Sequence, residues 1–579
     1  MNPFRTGTST GVMASAVLLL ASVSLKPVVQ ATATIEGIVV RAGTNEPIPG
    51  AIIELTGIAP RTTRSSSRSE PGTIVQTVQE TESDGRVLSF TTTTANDGRF
   101  SLRNIPPATG YQLIALHSPE FVPAQYGQRV PAVPGRPIDL STGQQLRDIR
   151  IEMTPGATVS GILLNGAGQP LRNVVVELRR PWYLEGWRLI GGWSETLQRV
   201  QGVGLSNLAA AARTNGQGEF RFAGLAPAHY YLRTTETFDA DAQRIDLHAG
   251  ENITSLRMVL RQFEPHRIRG TVVIQGSGLP LNQATVSLVR RDAVPLYQNA
   301  ASSTTISKNG IFEITSDEPG DYFLRATGPG NLRSMLGRAA IHVGDADVDG
   351  VRIELEPAID ISGSITTEGS TTSAAAPATP LSLALVPLNA GAVRIPSQDL
   401  PFPRGTFRLR NVIADDYRVE VRPVLVAPPS PLVQTSLENA FVKSIRYGNT
   451  DALNNGFHIE SSRDNTLEIV VSMHGGTIEG RVLDEDKKPA INAKVVLVPE
   501  SSRRQRGDLY KNASADDLGH YRLTGLAPGN YKVFAWERIE DGAWQDADFI
   551  KLYENRGRQV RIQEDQHATA DVTLIRAWN

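Results

Sequence analysis

The sequence predicts an all-β protein: a tandem array of five small antiparallel β-sandwich domains after a signal peptide. Three observations carry this. A glycine-to-tyrosine interval recurs along the chain, apolar residues alternate over short runs with no amphipathic helical stretch between them, and 51 glycines and 36 prolines in 579 residues make a turn-rich composition. The length exceeds what one core can fill, so several domains of ordinary size are expected.

At the N-terminus Arg5 precedes an apolar segment, Val12 to Leu25, and Ala31-Thr32-Ala33 has the small-x-small form of a cleavage site. Residues 1–33 therefore read as a secretory signal peptide. The segment is shorter than the roughly 20 residues that span a bilayer, and Lys26 closes it; an uncleaved anchor is the second reading. No later segment has the form of a membrane span. The expected location is the periplasm, the cell surface or the exterior. With no cysteine, the chain has no disulfide, thiolate metal site, nucleophilic cysteine or lipid-modified cysteine. A net charge of -2 with 20% charged residues argues against a nucleic-acid partner, which calls for a basic balance.

The repeat is seen by aligning NDGRFSLRNIPPATGYQLIAL, GQGEFRFAGLAPAHYYLRT, KNGIFEITSDEPGDYFLRAT, PRGTFRLRNVIADDYRVEV and LGHYRLTGLAPGNYKVFAW. Gly218 to Tyr230, Gly310 to Tyr322, Gly405 to Tyr417 and Gly519 to Tyr531 have one spacing, and Gly98 to Tyr111 is one residue longer. Each copy reads as a hairpin-like unit. Tyr521 and Leu523 share one side of a strand, Leu526 plugs the core, Pro528-Gly529 makes a type II turn, and Tyr531, Val533 and Ala535 resume the alternation on a returning strand. The tyrosines read as core residues with the hydroxyl satisfied at the rim.

Upstream of the turn glycine lies a second shared pattern, an opening strand near Gly37, Gly161, Gly270 or Gly480. A turn with proline follows, then in-phase residues such as Ala51, Ile53, Leu55 and Ala493, Val495, Leu497. The copy near Gly363 is degenerate. The sandwiches are expected at 34–154, 155–262 (with an aromatic loop insertion), 263–357, 358–473 and 474–579, each running a closing strand into the next opening strand, as beads of a semi-rigid rod.

The combination of G-x-V, a turn with G-x-P-[LI], an alternating strand, G-x-[FY] and L-x-P-G-x-Y resembles the carboxypeptidase regulatory-like domain. That resemblance implies a transthyretin-like (prealbumin-like), carbohydrate-binding-like β-sandwich fold. It covers nearly all of the chain after residue 33, and its last copy looks like the terminal unit of exported bacterial proteins built from such domains. The family name records an accessory domain of peptidases and implies no peptidase chemistry.

Several short patterns have the form of a chemical site without its context. His117-Ser118-Pro119-Glu120 has the spacing of a zinc pair, with His229 or His248 downstream, but Pro119 interrupts it and no α/β peptidase segment accompanies it. Gly7-Thr8-Ser9-Thr10-Gly11 matches G-x-S-x-G inside the signal peptide, away from any strand-to-helix turn. Asp415-Asp416 and Asp516-Asp517 sit beside the shared turns, where aspartate bonds to backbone. DADVDGVRIELE, Asp345 to Glu356, fits a calcium-loop template, but Val351, Ile353 and Leu355 alternate as a closing strand does, which carries Glu356 away from Asp345. No catalytic residue, metal ligand or cofactor is expected, and the chain is read as a non-enzyme.

The most suggestive surface feature is the insertion Arg179 to Arg213, with Trp182, Tyr183, Trp187 and Trp193. Aromatics clustered on a loop stack on sugar rings or anchor a protein, which gives a glycan or an envelope protein as partner; burial at the end of a sandwich or against a neighbouring one is the other reading. A second aromatic loop runs from Trp536 to Trp544 with Tyr553. The functional expectation is a non-catalytic exported scaffold that presents binding loops, carbohydrate binding among them. A purely structural stalk or adhesin-like spacer is the alternative, and an accessory subunit of a peptidase a remote one.

Overall fold

The structure is a computed structural model that describes residues 32–58, 62–66, 78–82, 87–131, 133–184, 186–190, 208–234, 242–260, 263–291, 302–306, 309–328, 335–369, 381–389, 395–400, 405–423, 437–460 and 466–577. Residues 1–31 of the expected signal peptide lie outside them, whereas Ala33, at its expected end, is buried as the first residue of the strand Ala33–Arg41. Contacts divide the chain into two compact units. The first reaches to His117 and takes in 123–129 and 134–153; the second holds 118–122, 130–133 and everything from Thr154 onward.

One strand arrangement occurs once in the first unit and recurs in the second. An opening strand takes the middle of one sheet: Ala33–Arg41, Ala157–Asn165, His266–Ile274, Ile359–Glu368 and Gly476–Leu483. On one side it pairs antiparallel with the strand after the turn glycine: Arg99–Ile105, Glu219–Leu225, Ile311–Ser316, Gly405–Val412 and His520–Leu526. On the other it pairs parallel with the closing strand: Gln145–Met153, Asn252–Leu260, Val348–Pro357, Leu467–Ser472 and Val572–Ile575.

The opposite sheet pairs the alternating strand with the tyrosine strand, Ile52–Ile58 with Ala108–Leu116 and, at the other end of the chain, Lys494–Pro499 with Gly529–Trp536. The protein is all-β, and its sandwiches are antiparallel except at the opening–closing pair, where His567–Thr569 also runs parallel to Gly476–Leu483, and where Val572–Ile575 also meets Gly529–Trp536. The in-phase residues face inward as the alternation requires: Ile53, Leu55, Val176, Leu178, Val286, Leu288, Val495 and Leu497 are fully buried.

The hairpin-like unit is corrected. His520–Leu526 pairs with the opening strand in one sheet, whereas Gly529–Trp536 pairs with Lys494–Pro499 in the other, so Ala527-Pro528 carries the chain across the core as an arch. Gly529 has φ 152°, not the value near 80° of a type II turn. The tyrosine at the arch behaves as expected. Tyr230, Tyr322 and Tyr531 are buried and donate their hydroxyls to the carbonyl four residues back, at Ala226 (2.8 Å), Glu318 (3.0 Å) and Ala527 (2.8 Å). In the first unit, where the interval is one residue longer, Tyr111 reaches Pro106, five back, at 3.0 Å. This is the arrangement of a tyrosine corner.

The register of the opening strand slips where it meets its parallel partner, between Ile35 and Gly37, Val159 and Gly161, and Ile268 and Gly270. The extra residue on the closing strand is left-handed each time: Asp148 (φ 60°), Ser255 (φ 64°) and Gly350 (φ 77°). Gly350 is the glycine of the calcium-like stretch, and a bulge in a closing strand accounts for it. The aspartates before it meet basic groups: Asp347 accepts the Arg267 backbone N–H at 2.9 Å and a bond from Arg269 at 3.3 Å, and Asp349 accepts Arg269 at 3.0 Å. The backbone N–H of Arg267, with the guanidinium charges of Arg269 and Arg267 behind it, holds the Asp347 carboxyl below the usual range in spite of its desolvation.

Candidate functional site

The site is built from two excursions of the chain within the second unit. After Val175–Arg179 the chain forms a short antiparallel pair, Trp182–Leu184 with Trp187–Leu189, closed at Gly186 (φ 86°). Trp182 and Tyr183 are half-buried, Trp187 is 44% exposed, and Leu189 and Ile190 are buried at its base. Trp193 lies outside the described residues.

The second excursion follows Gly529–Trp536. Over Val495–Val498 and Val533–Trp536 the two strands are apolar on both faces, unlike a strand with one wet side. Their outer face carries a second small core of Val496, Val498, Phe534, Trp536, Trp544 and Ile550, covered by the helix Ala547–Tyr553. Asp546 caps that helix, accepting the N–H of Asp548 at 2.8 Å and of Phe549 at 3.0 Å. Trp536 stacks on Phe534 at 5.2 Å and meets Tyr553 edge-on at 5.7 Å.

The two excursions meet. The rings of Tyr183 and Phe549 lie edge-to-face at 6.4 Å. A Cβ added at Gly186 would lie 3.0 Å from the Gln545 carbonyl oxygen, and one at Gly542 (φ 85°) would lie 3.1 Å from the Tyr183 Cβ. Burial, and after it the charges of Asp546 and Glu540, hold the Tyr183 hydroxyl well above the usual phenol range. Arg538 donates to the Pro131 carbonyl at 2.9 Å, while Arg188 lies 5.6 Å over the Tyr231 ring. The structure thus brings Tyr183 against the second aromatic loop and leaves Trp187 toward solvent. Gly542, Gln545 and Phe549 are not marked by any pattern in the sequence; the unbroken apolar runs VVLV, 495–498, and VFAW, 533–536, are the signal that one more layer covers this sheet.

The other candidate positions are occupied by ordinary pairs. His229 meets Asp246 at 2.6 Å and His248 meets Glu251 at 3.1 Å. Asp415 is buried and takes Arg338 at 2.6 Å, Asn389 at 3.1 Å and the Asp416 backbone N–H at 2.8 Å. Asp516 caps its turn through the backbone N–H groups of Leu518 and His520. A shallow groove beside Gly480 is lined by Glu479, Arg481, His520 and Arg522, which pair among themselves, Arg522 with Glu479 at 3.4 Å and Arg481 with His520 at 2.9 Å. Among the described residues no group of three or more His, Asp or Glu side chains could hold a metal ion, and no helix is long and apolar enough to cross a membrane.

Residues 477–575 match the family model of the carboxypeptidase regulatory-like domain. The match begins in the opening strand Gly476–Leu483 and ends with the closing strand Val572–Ile575, so it spans the last sandwich from its first strand to its last. The strand frame seen there recurs in the sandwiches before it.

No curated protein matches the chain. Among solved structures, a Streptococcal ancillary pilin is 14% identical, covers 56% of this chain and 99% of its own, and gives a TM-score of 0.24. The Bacillus anthracis TIE protein is 12% identical over 77% of this chain and 73% of its own, with a TM-score of 0.15. The major pilin subunit of Bacillus cereus is 10% identical over 72% of this chain and 99% of its own, with a TM-score of 0.14. At these TM-scores the likeness carries no argument for function.

Proposed function

We propose that the chain is a non-catalytic, exported scaffold of five sandwich domains, at 34–154, 155–262, 263–357, 358–473 and 474–579 behind a signal peptide at 1–33, working in the periplasm, at the cell surface or outside the cell. The observation that carries this reading is the contact of Tyr183 and Gly186 with Phe549, Gly542 and Gln545: the aromatic loops, the groups best suited to a ligand, hold the protein's own domains. The repeated tyrosine hydroxyls and left-handed bulge residues also serve the backbone that carries them. The test is turnover by the full chain of a panel of peptide and ester substrates. No turnover is expected; turnover abolished by His117→Ala overturns the reading.

The exposure of Trp187 favours a second function on the same scaffold, glycan contact through Trp187 with Trp182 and Tyr183 beside it and Trp193 in the same insertion. Tryptophan emission titrated with polysaccharides separates the two. The structural stalk leaves it unchanged, whereas a glycan site shifts it and loses the shift in Trp187→Ala.

A further inference from the structure

We infer that the hairpin Trp182–Leu189 is a clasp that ties the sandwich at 155–262 to the one at 474–579, so that tension along the second compact unit bypasses the two sandwiches between them until the clasp opens. The inference rests on the contacts alone and holds whether or not Trp187 meets a glycan.

The fit is reciprocal. Gly186 gives room to the Gln545 backbone, and Gly542, from the other loop, gives room to the Tyr183 backbone and Cβ; both glycines are left-handed, at φ 86° and 85°. Chance contact between two surface loops does not require a glycine from each side at the point of closest approach. Tyr183 closes on Phe549, a residue of the helix that covers Trp536, so the hairpin engages a packed layer and not a loose tip. Arg538, just after Trp536, is fixed at the same end by the Pro131 carbonyl.

The intervening sandwiches have their own junctions. Arg338 meets Asp415 at 2.6 Å, and Arg506, itself buried, donates to the Val442 carbonyl at 3.2 Å. In a serial array every junction of this kind bears the full load. A brace from the second sandwich to the fifth places a parallel path across them. The chain has no cysteine with which to make such a brace covalent. The clasp engages a few side chains, against the full cores of the sandwiches, so under load it opens first and releases the length between its two feet.

The absence of cysteine gives a clean test. Gly186→Cys with Gln545→Cys places two Cβ atoms about 3.5 Å apart, inside the disulfide range. Oxidised full chain is expected to form this bond. Held at its ends in an optical trap, the unmodified chain is expected to show an extension at forces below those of sandwich unfolding, and the oxidised variant to lack it. Identical traces for both, or no disulfide in a chain with native circular dichroism, overturn the inference. A left-handed position strains a cysteine, so a second variant stands independently of it. Tyr183→Ala with Phe549→Ala is expected to raise amide exchange over 540–546 at least tenfold while leaving Ile311–Ser316 unchanged, and unchanged exchange over 540–546 overturns the clasp.

Discussion

Gly480 stands directly opposite Tyr521 across the antiparallel pair, and a side chain there would overlap the Ala570 carbonyl oxygen on its other flank. The same relationship joins Gly37 to Phe100, Gly161 to Phe220, Gly270 to Phe312 and Gly363 to Phe407. At Gly161 and Gly270 an added Cβ would come within 2.8 Å of the ring. The aromatic lies over the missing side chain, and the parallel closing strand can then approach closely. Gly480→Val is therefore expected to destabilise the last sandwich by about 2 kcal/mol or more, through overpacking against backbone. Gly166→Ala, where nothing lies within 4 Å, is expected to be neutral or slightly stabilising. Hydrogen exchange resolved by sandwich measures both without assuming a single unfolding transition.

The tyrosine corner gives a second expectation. Tyr531→Phe keeps the ring in the core but leaves the Ala527 carbonyl without the 2.8 Å bond it accepts. A loss of about 1–2 kcal/mol is expected, confined to the last sandwich, since Ala527 is itself buried and gains little from water. Urea unfolding followed by tryptophan emission reads it, because Trp536 and Trp544 belong to that sandwich.

The repeat, the inward residues and the buried tyrosines were legible because period-two alternation states which side chain points inward. It does not state which strand lies alongside. Gly529–Trp536 alternates equally well as the return of a hairpin or as a strand of the opposite sheet; the arch is decided by the core between Leu526 and Tyr531, which a linear pattern does not show. The alternation of Val351, Ile353 and Leu355 marks a closing strand but not its parallel pairing, and without that pairing the sequence gives no reason for Gly350, whose left-handed φ serves the bulge. The aromatic insertion was found by composition alone. Its partner Phe549 lies in a different sandwich, and no local periodicity links two residues so far apart in the chain.

The phenols set an alkaline limit. The Tyr531 hydroxyl is pushed up to about 12, by burial against the nearby Arg503 and Arg506, from an ordinary 10.0. Between these values the unfolded chain has lost its proton and the folded chain has kept it. The stability is therefore full below pH 10 and falls as pH rises toward 12, by about 2–3 kcal/mol for this group. Burial also raises Tyr417, Tyr510 and Tyr521. Tyrosinate absorbance is expected to show a fraction that appears only together with unfolding, and Tyr531→Phe to reduce the pH dependence of the last sandwich.

Arg338, on the strand Met335–Val343, pairs with Asp415, just before the strand Asp416–Pro423, and the burden of the pair is unequal. Asp415 is 5% exposed and Arg338 is 31% exposed at its side chain. Removing the arginine strands a buried carboxylate that retains only Asn389 and one backbone N–H, whereas removing the carboxylate leaves a guanidinium that can reach water and still lies 5.5 Å over the Phe323 ring. Arg338→Ala is therefore expected to cost about 2–4 kcal/mol and Asp415→Ala about half of that, with the double substitution close to the single loss of Asp415. A thermodynamic cycle of the three variants, read by amide exchange over Gly405–Val412, checks the order. Equal losses from the two single substitutions would show that the pair behaves as an exposed one.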